Sequence, residues 1–167
     1  MKVSLSLLVI CVLVSACDRG TNDAVIAALV DRQAIDQLVE GDYPRALDGR
    51  DWDAYAGTYT EDGELSLGGQ TAKGRAEIKK FVAALPNDNP VIHVISNLSY
   101  KLAGDTAAGG AYWQDIGLVN GAPGVVVAGH YDDTLRKVDG RWLFSKRAIV
   151  IDYAAPAPAT PGGTSSE

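Results

Sequence analysis

Apolar residues recur at helical spacing from the start of the chain's polar region onward. Val25, Ile26, Leu29, Val30, Ile35, Leu38 and Val39 fall on one stripe, which continues through Tyr43, Ala46 and Leu47. That period predicts a long amphipathic helix. Pro44 interrupts it, lacking an N–H and clashing with the carbonyl four residues back, so a kink or a break into two helices is expected there. Gly49 is a stop signal, and Asp51 can cap a short second helix that places Trp52, Tyr55 and Tyr59 on one face. Glu61-Asp62-Gly63 reads as a turn, Glu64 to Leu67 as a short strand, and Gly68-Gly69-Gln70 as a loop. A third helix is expected from Ala76 to Ala84, closed by Pro86.

The pattern then shifts to a strand period. Val91–Leu102, Thr106–Val119, Val125–Arg136 and Arg141–Tyr153 all read as strands. Gly104-Asp105, Asn120-Gly121 and Asp139-Gly140 separate them, each a hairpin-type turn signal. Four long strands joined this way form an antiparallel meander, which three to four N-terminal helices must cover, giving an α+β fold. Residues 24–153 are read as one domain. Residues 154–167, rich in Ala, Pro, Gly, Thr and Ser, are expected to be a disordered tail.

The beginning of the chain belongs to a different class of segment. After Met1-Lys2, Val3 to Val14 is an apolar run too short for a comfortable transmembrane helix. It ends in Val14-Ser15-Ala16-Cys17, which resembles a bacterial lipoprotein signal box, where the cysteine is lipidated and becomes the mature N-terminus. Residues 1–16 are therefore expected to be a signal peptide and residues 17–23 a tether. The protein would face the periplasm, lipid-anchored through Cys17 to the inner or the outer membrane. Cys11 leaves with the signal, so the mature domain has no thiol for a disulfide, a nucleophile or a metal site. The 167-residue chain has 15 basic and 21 acidic side chains, a net charge of −6, and cleavage removes only Lys2. An acidic body with no basic run excludes nucleic acid as an expected partner.

Several segments carry a family resemblance: Ala46-Leu47-Asp48-Gly49-Arg50-Asp51-Trp52, Tyr59-Thr60-Glu61-Asp62-Gly63, Gly74-Arg75-Ala76-Glu77-Ile78, Gly129-His130-Tyr131-Asp132-Asp133 and Asp139 to Arg147. In order and spacing they resemble the SnoaL-like branch of the nuclear transport factor 2-like fold. That fold is a cone-shaped α+β barrel with a pocket between helices and sheet, and it commonly pairs into dimers or trimers. Within the branch the chain is most similar to hexachlorocyclohexane dehydrochlorinases, and more distantly to scytalone dehydratases. The resemblance implies an aspartate–histidine dyad, falling here on Asp48 and His93, and a pocket arginine, falling on Arg147. It implies no metal and no organic cofactor. Tyr43 stands where the dehydrochlorinase carries a lysine and Leu65 where it carries a tryptophan, so a different substrate is implied.

The chemistry is consistent with those residue types. A β-elimination needs a base, which neutral His93 can be; Asp48 would fix its tautomer and stabilise the imidazolium. Arg147 could stabilise a departing anion or an enolate. Strand alternation groups His93 with Asn97, Tyr112 with Gln114, Val127 with Tyr131 and Asp133, and Arg147 with Ile149 and Ile151. By the resemblance these faces look inward, forming with Tyr43 and Leu65 a pocket for a small, cyclic, partly apolar substrate. Plainer readings stand beside these. His93 can be a core histidine, Asp48 a turn cap, and Arg147 a structural partner of Asp133 on the neighbouring strand. His130 is read as a surface or packing residue, and Trp52, Tyr55, Tyr59, Trp113 and Trp142 as packing. The competing function is a non-catalytic ligand-binding or accessory envelope lipoprotein.

Overall fold

The computed structural model describes residues 21–85 and 91–156. The expected signal peptide, Cys17, Pro86 and the tail beyond residue 156 lie outside them. The chain divides into two compact units at Ile35/Asp36. Helix α1 covers residues 21–36, and its residues 21–35 are the described part of the first. Its helical period is as expected, but Val25, Ile26, Leu29 and Val30 are each more than half exposed.

The second unit opens on the consequence of Pro44. Residues Gln37–Asp42 form a π-helical turn, and α2 follows as Tyr43–Asp48 with the proline in its first turn. The Tyr43 amide donates to the carbonyl of Leu38, a five-residue step. Pro44 lacks an N–H where helices leave such groups unbonded anyway, and the widened turn ahead relieves its clash. Proline therefore changes the helix type without breaking the chain's helical run. Asp51 caps α3 (Trp52–Gly57), its side chain accepting from the Ala54 amide at 3.0 Å.

From there the structure lengthens the short strand expected at Glu64 to Leu67 and adds a second one, Gln70–Lys73, that the periodicity did not reveal. Tyr59 is not on the helix face: α3 ends with the Thr58 hydroxyl bonded to the Tyr55 carbonyl, and β1 runs Tyr59–Leu67. The expected turn at Glu61-Asp62-Gly63 is a bulge inside β1, between Tyr59 and Glu64. Salt bridges from Arg75 to Glu61 and from Arg136 to Asp62 hold it. Gly68 and Gly69 turn β1 into β2 (Gln70–Lys73), followed by α4 (Arg75–Ala83).

The meander is β3 (Ile92–Ala103), β4 (Thr106–Val119), β5 (Ala122–Val138) and β6 (Arg141–Ala154). Asn120-Gly121 and Asp139-Gly140 both take left-handed φ values, the geometry of two-residue hairpin turns. The sheet has six strands in the order β2-β1-β6-β5-β4-β3, with β1 parallel to β6 and every other pair antiparallel. It is therefore a mixed sheet, larger than the four-stranded meander expected. Neighbouring strands approach closely: a Cβ at Gly109 or Gly129 would lie 1.9 Å from a carbonyl oxygen of the adjacent strand. Tyr43, Tyr55, Tyr59 and Phe144 form an aromatic core, with successive ring centroids 5.0 to 5.8 Å apart.

Asp51→Ala removes the cap of α3 and is expected to cost about 1 kcal/mol. Urea denaturation should show a lower midpoint at unchanged slope.

Candidate functional site

A cavity of about 480 Å³ lies within the second unit. Tyr43, Asp48, Trp52 and Tyr55 line it from α2 and α3, and Leu65, Trp113, Tyr131 and Ile149 from the sheet. Strand register explains the sheet wall. Rows run straight across neighbouring strands, so one inward residue fixes the rest of its row. His93 pairs with Asp115 and Asp115 with Val127; Leu67 pairs with Ile149 and Ile149 with Tyr131.

At the first of these rows His93 meets two carboxylates. Its Nδ1 is 2.5 Å from Asp48 Oδ1, across from the end of α2. The His93 amide also donates to the same carboxylate, at 3.3 and 3.4 Å. On the other side Nε2 is 3.1 Å from Asp115 Oδ1, within ion-pair reach. That contact lacks the alignment of a hydrogen bond, and Oδ1 is buried with no hydrogen-bond partner among the described residues. Burial raises the Asp115 pKa; His93 pulls it down and Asp48 pushes it up, and the net shift is upward. The arrangement ties one imidazole nitrogen and leaves the other beside a carboxyl group that favours its proton.

Arg147 lies elsewhere, fully buried and not on the cavity wall. Its Nε and Nη2 donate to Asp133 Oδ1 and Oδ2 at 2.9 and 2.7 Å, across the β5–β6 ladder. The Tyr100 hydroxyl donates to Asp133 Oδ2 at 2.5 Å. Tyr100, Gly109, Asp133 and Arg147 occupy one row, and Gly109, without a side chain, lets Tyr100 reach over it. The guanidinium carbon lies 4.2 Å from the Tyr43 ring centroid, 3.8 Å from Tyr131 and 3.9 Å from Phe144. Burial alone would disfavour the charge, but Asp133 offsets it, and the pKa of Arg147 stands above its ordinary value. Cation–π contact with three rings adds to that.

The structure thus brings together Asp48 and His93, and places Tyr43, Leu65, Tyr131 and Ile149 on the cavity as expected. Four expected positions differ, in addition to Arg147. Asp133 is inward but sealed against Arg147, away from the cavity. Asn97 takes a left-handed φ of 55° in a β3 bulge between Ser96 and Ser99, which turns it outward, exposed. Tyr112 and Gln114 are on the outer face of β4; Tyr112 is 58% exposed with its ring near His130. Trp113 and Asp115 take the inward positions, stacking Trp113 on Tyr131 at 5.7 Å. Trp113, Trp52 and Tyr55, read as packing residues, therefore also line the cavity. Asp115 was the missed residue. The parity of β4 was the available signal: Trp113 and Asp115 share a face as readily as Tyr112 and Gln114. His130 is on the outer face, its Nδ1 2.7 Å from Asp152. Among the described residues no group of His, Cys, Asp or Glu is arranged to hold a metal ion.

Comparison with known proteins follows from this geometry. A family model described as a SnoaL-like domain matches residues 27–148. No curated protein matches the chain. Among solved structures, a nuclear transport factor 2-like protein with a cystatin-like fold from Novosphingobium aromaticivorans is 25% identical. That match covers 78% of this chain and 87% of the other, with a TM-score of 0.72. A provisionally named scytalone dehydratase from the same organism is 26% identical over 83% of this chain and 98% of its own, with a TM-score of 0.65. A type 2 hexachlorocyclohexane dehydrochlorinase is 22% identical over 85% of this chain and 99% of its own, TM-score 0.68, a likeness of fold.

Asp133→Ala leaves the Arg147 charge buried without its carboxylate and is expected to cost about 3–5 kcal/mol. Replacing both, as Asp133→Leu with Arg147→Met, should cost less than Asp133→Ala alone, read by urea unfolding.

Proposed function

This chain belongs to the SnoaL-like domain family, and from that premise we propose that it is a cofactor-independent lyase or related acid–base enzyme. Its substrate is a small cyclic organic molecule. The observation that carries this reading is the His93 imidazole on the cavity wall, with Nδ1 2.5 Å from the Asp48 carboxylate. A neutral imidazole so held has one free lone pair, at Nε2, and a fixed partner for the charge it gains on protonation. Asp48 orients the ring twice, through Nδ1 and through the His93 amide. Ring-bearing walls from Trp52, Trp113 and Tyr131, in a cavity of about 480 Å³, suit a cyclic, partly apolar ligand. The name of one structural neighbour, a dehydratase 26% identical to this chain, is the name of an elimination and supports the same class. Proton removal is the step assigned to the His93 centre. Arg147, sealed under Tyr43 and Tyr131, acts on the site by holding its wall.

One observation favours a second reading, a non-catalytic ligand-binding protein: Arg147, the arginine that the resemblance assigns to the pocket, is sealed away from the cavity wall, and the arginine that does line the cavity is Arg50, at a position to which the resemblance gives no role. A thermal-shift screen of cyclic ketones, phenols and chlorinated alicyclics separates the two. Under the enzyme reading, wild-type protein converts at least one stabilising compound. His93→Ala then remains folded, still binds that compound and loses turnover by about 10²-fold or more. Stabilising compounds that are bound and never converted would establish the binding protein instead.

The proposal includes a cell-envelope address through a lipid on Cys17. Cys17→Ser expressed in a bacterial host should move the protein from the membrane fraction to the soluble fraction.

A further inference from the structure

We propose that Asp115 is a second catalytic acid–base of this cavity, passing the substrate's proton to and from His93 Nε2 through its own carboxyl group. The inference rests on the acid–base reading above and deepens it. Three observations carry it. His93 Nδ1 is committed to Asp48, so any proton the ring exchanges with a ligand passes through Nε2. Asp115 Oδ1 is the atom 3.1 Å from Nε2, set there by the direct pairing of His93 with Asp115 across β3 and β4. That oxygen is buried and has no hydrogen-bond partner among the described residues, while its side chain lines the cavity.

An unpartnered carboxylate oxygen in such a place is costly, and the cost falls on the ionised form. Burial, and beside it the Asp48 carboxylate, push Asp115 toward its protonated form against the pull of His93. The other titratable or charged groups lining the cavity are Tyr43, Arg50, Tyr55 and Tyr131.

The step balances as follows. The proton on Asp115 moves to Nε2, leaving an imidazolium between two carboxylates. The Asp115 carboxylate takes a proton from a substrate carbon. The C–H electron pair becomes the new double bond, and the leaving group departs with its bonding pair. Asp115 then gives that proton to the leaving group and recovers its own from the imidazolium, so His93 returns to neutral, Asp115 to its protonated form, and the net change is loss of one acid molecule or one water from the substrate.

The test uses the folded mature domain, labelled for NMR at aspartate carboxyls and histidine ring nitrogens, without ligand. Asp115 should hold its proton above the ordinary aspartate range, and its titration should register at His93 Nε2. In Asp115→Asn that step should vanish from the His93 titration. An Asp115 carboxyl that ionises in the ordinary range, with no trace at Nε2, overturns the proposal. The wild-type titration needs no variant, so a misfolded substitution does not blunt it. A kinetic arm follows dehydration of 3-hydroxycyclohexanone. A loss of about 10²-fold or more in both His93→Ala and Asp115→Asn supports the proposal. Loss in His93→Ala with full activity in Asp115→Asn overturns the role of Asp115 and spares the reading of His93. Full activity in both overturns the reading itself. If wild-type protein leaves that ketone unchanged, the NMR titration alone decides.

Discussion

The pairing of Arg147 with Asp133 is the interaction on which the second unit's interior depends. A guanidinium with no solvent exposure must be neutralised, hydrogen-bonded and packed; here different elements neutralise and pack it and bond Nε and Nη2, while Nη1 has no hydrogen-bond partner among the described residues. β5 contributes the carboxylate, β3 a hydroxyl through Tyr100, α2 and β5 the rings of Tyr43 and Tyr131, and β6 the ring of Phe144. Tyr43 and Tyr131 also line the cavity, so the wall that faces a ligand is the outer surface of the box that holds the charge. Burial of the pair is weak grounds for net stability, but it specifies a single arrangement of four elements.

That division also explains why an arginine and a histidine of similar chemical promise end in different places. Both sit on inward rows of the sheet, in strands that do not neighbour each other. The row of Arg147 runs through Leu65, Asp133 and Gly109 to Tyr100, beneath the aromatic core. The row of His93 runs through Asp115 and Val127, at the end of the sheet that meets α2's C-terminus. Acidic side chains occur on both rows. On the first, a bidentate cation satisfies the acid; on the second, one oxygen is left without a hydrogen-bond partner among the described residues.

Most of the architecture was legible in the sequence because its signals were local. The four long strands and their turns follow from β periodicity and from Asn-Gly and Asp-Gly pairs whose φ values a hairpin requires. The helices follow from an apolar stripe and the Asp51 cap. Non-local features were not legible. The β1–β6 pairing joins Leu65 to Arg147, and no pattern within either segment announces it. Parity gave the inward face of β5 and β6 but not of β4, where Tyr112 and Trp113 are equally plausible core residues until a register is known. The Asn97 bulge shifts pairing by a residue and so misled a strict alternation. Asp48 and His93 were brought together by family resemblance, whereas Asp115 lay outside the resemblance and alternation offered it only as one of two equal faces of β4.

The parallel pairing of β1 with β6 bears on how the chain acquires its structure. β6 is the last strand in sequence among the described residues, yet it sits inside the sheet with β1 on one side and β5 on the other. The β1–β2 hairpin therefore has no sheet to join until almost the whole chain is available. Pairing of such sequence separation closes a long loop, which slows folding relative to local contacts. Until β6 is in place the edge of β1 that it occupies is unpaired, so assembly of the sheet around the cavity is expected to be a late, cooperative event.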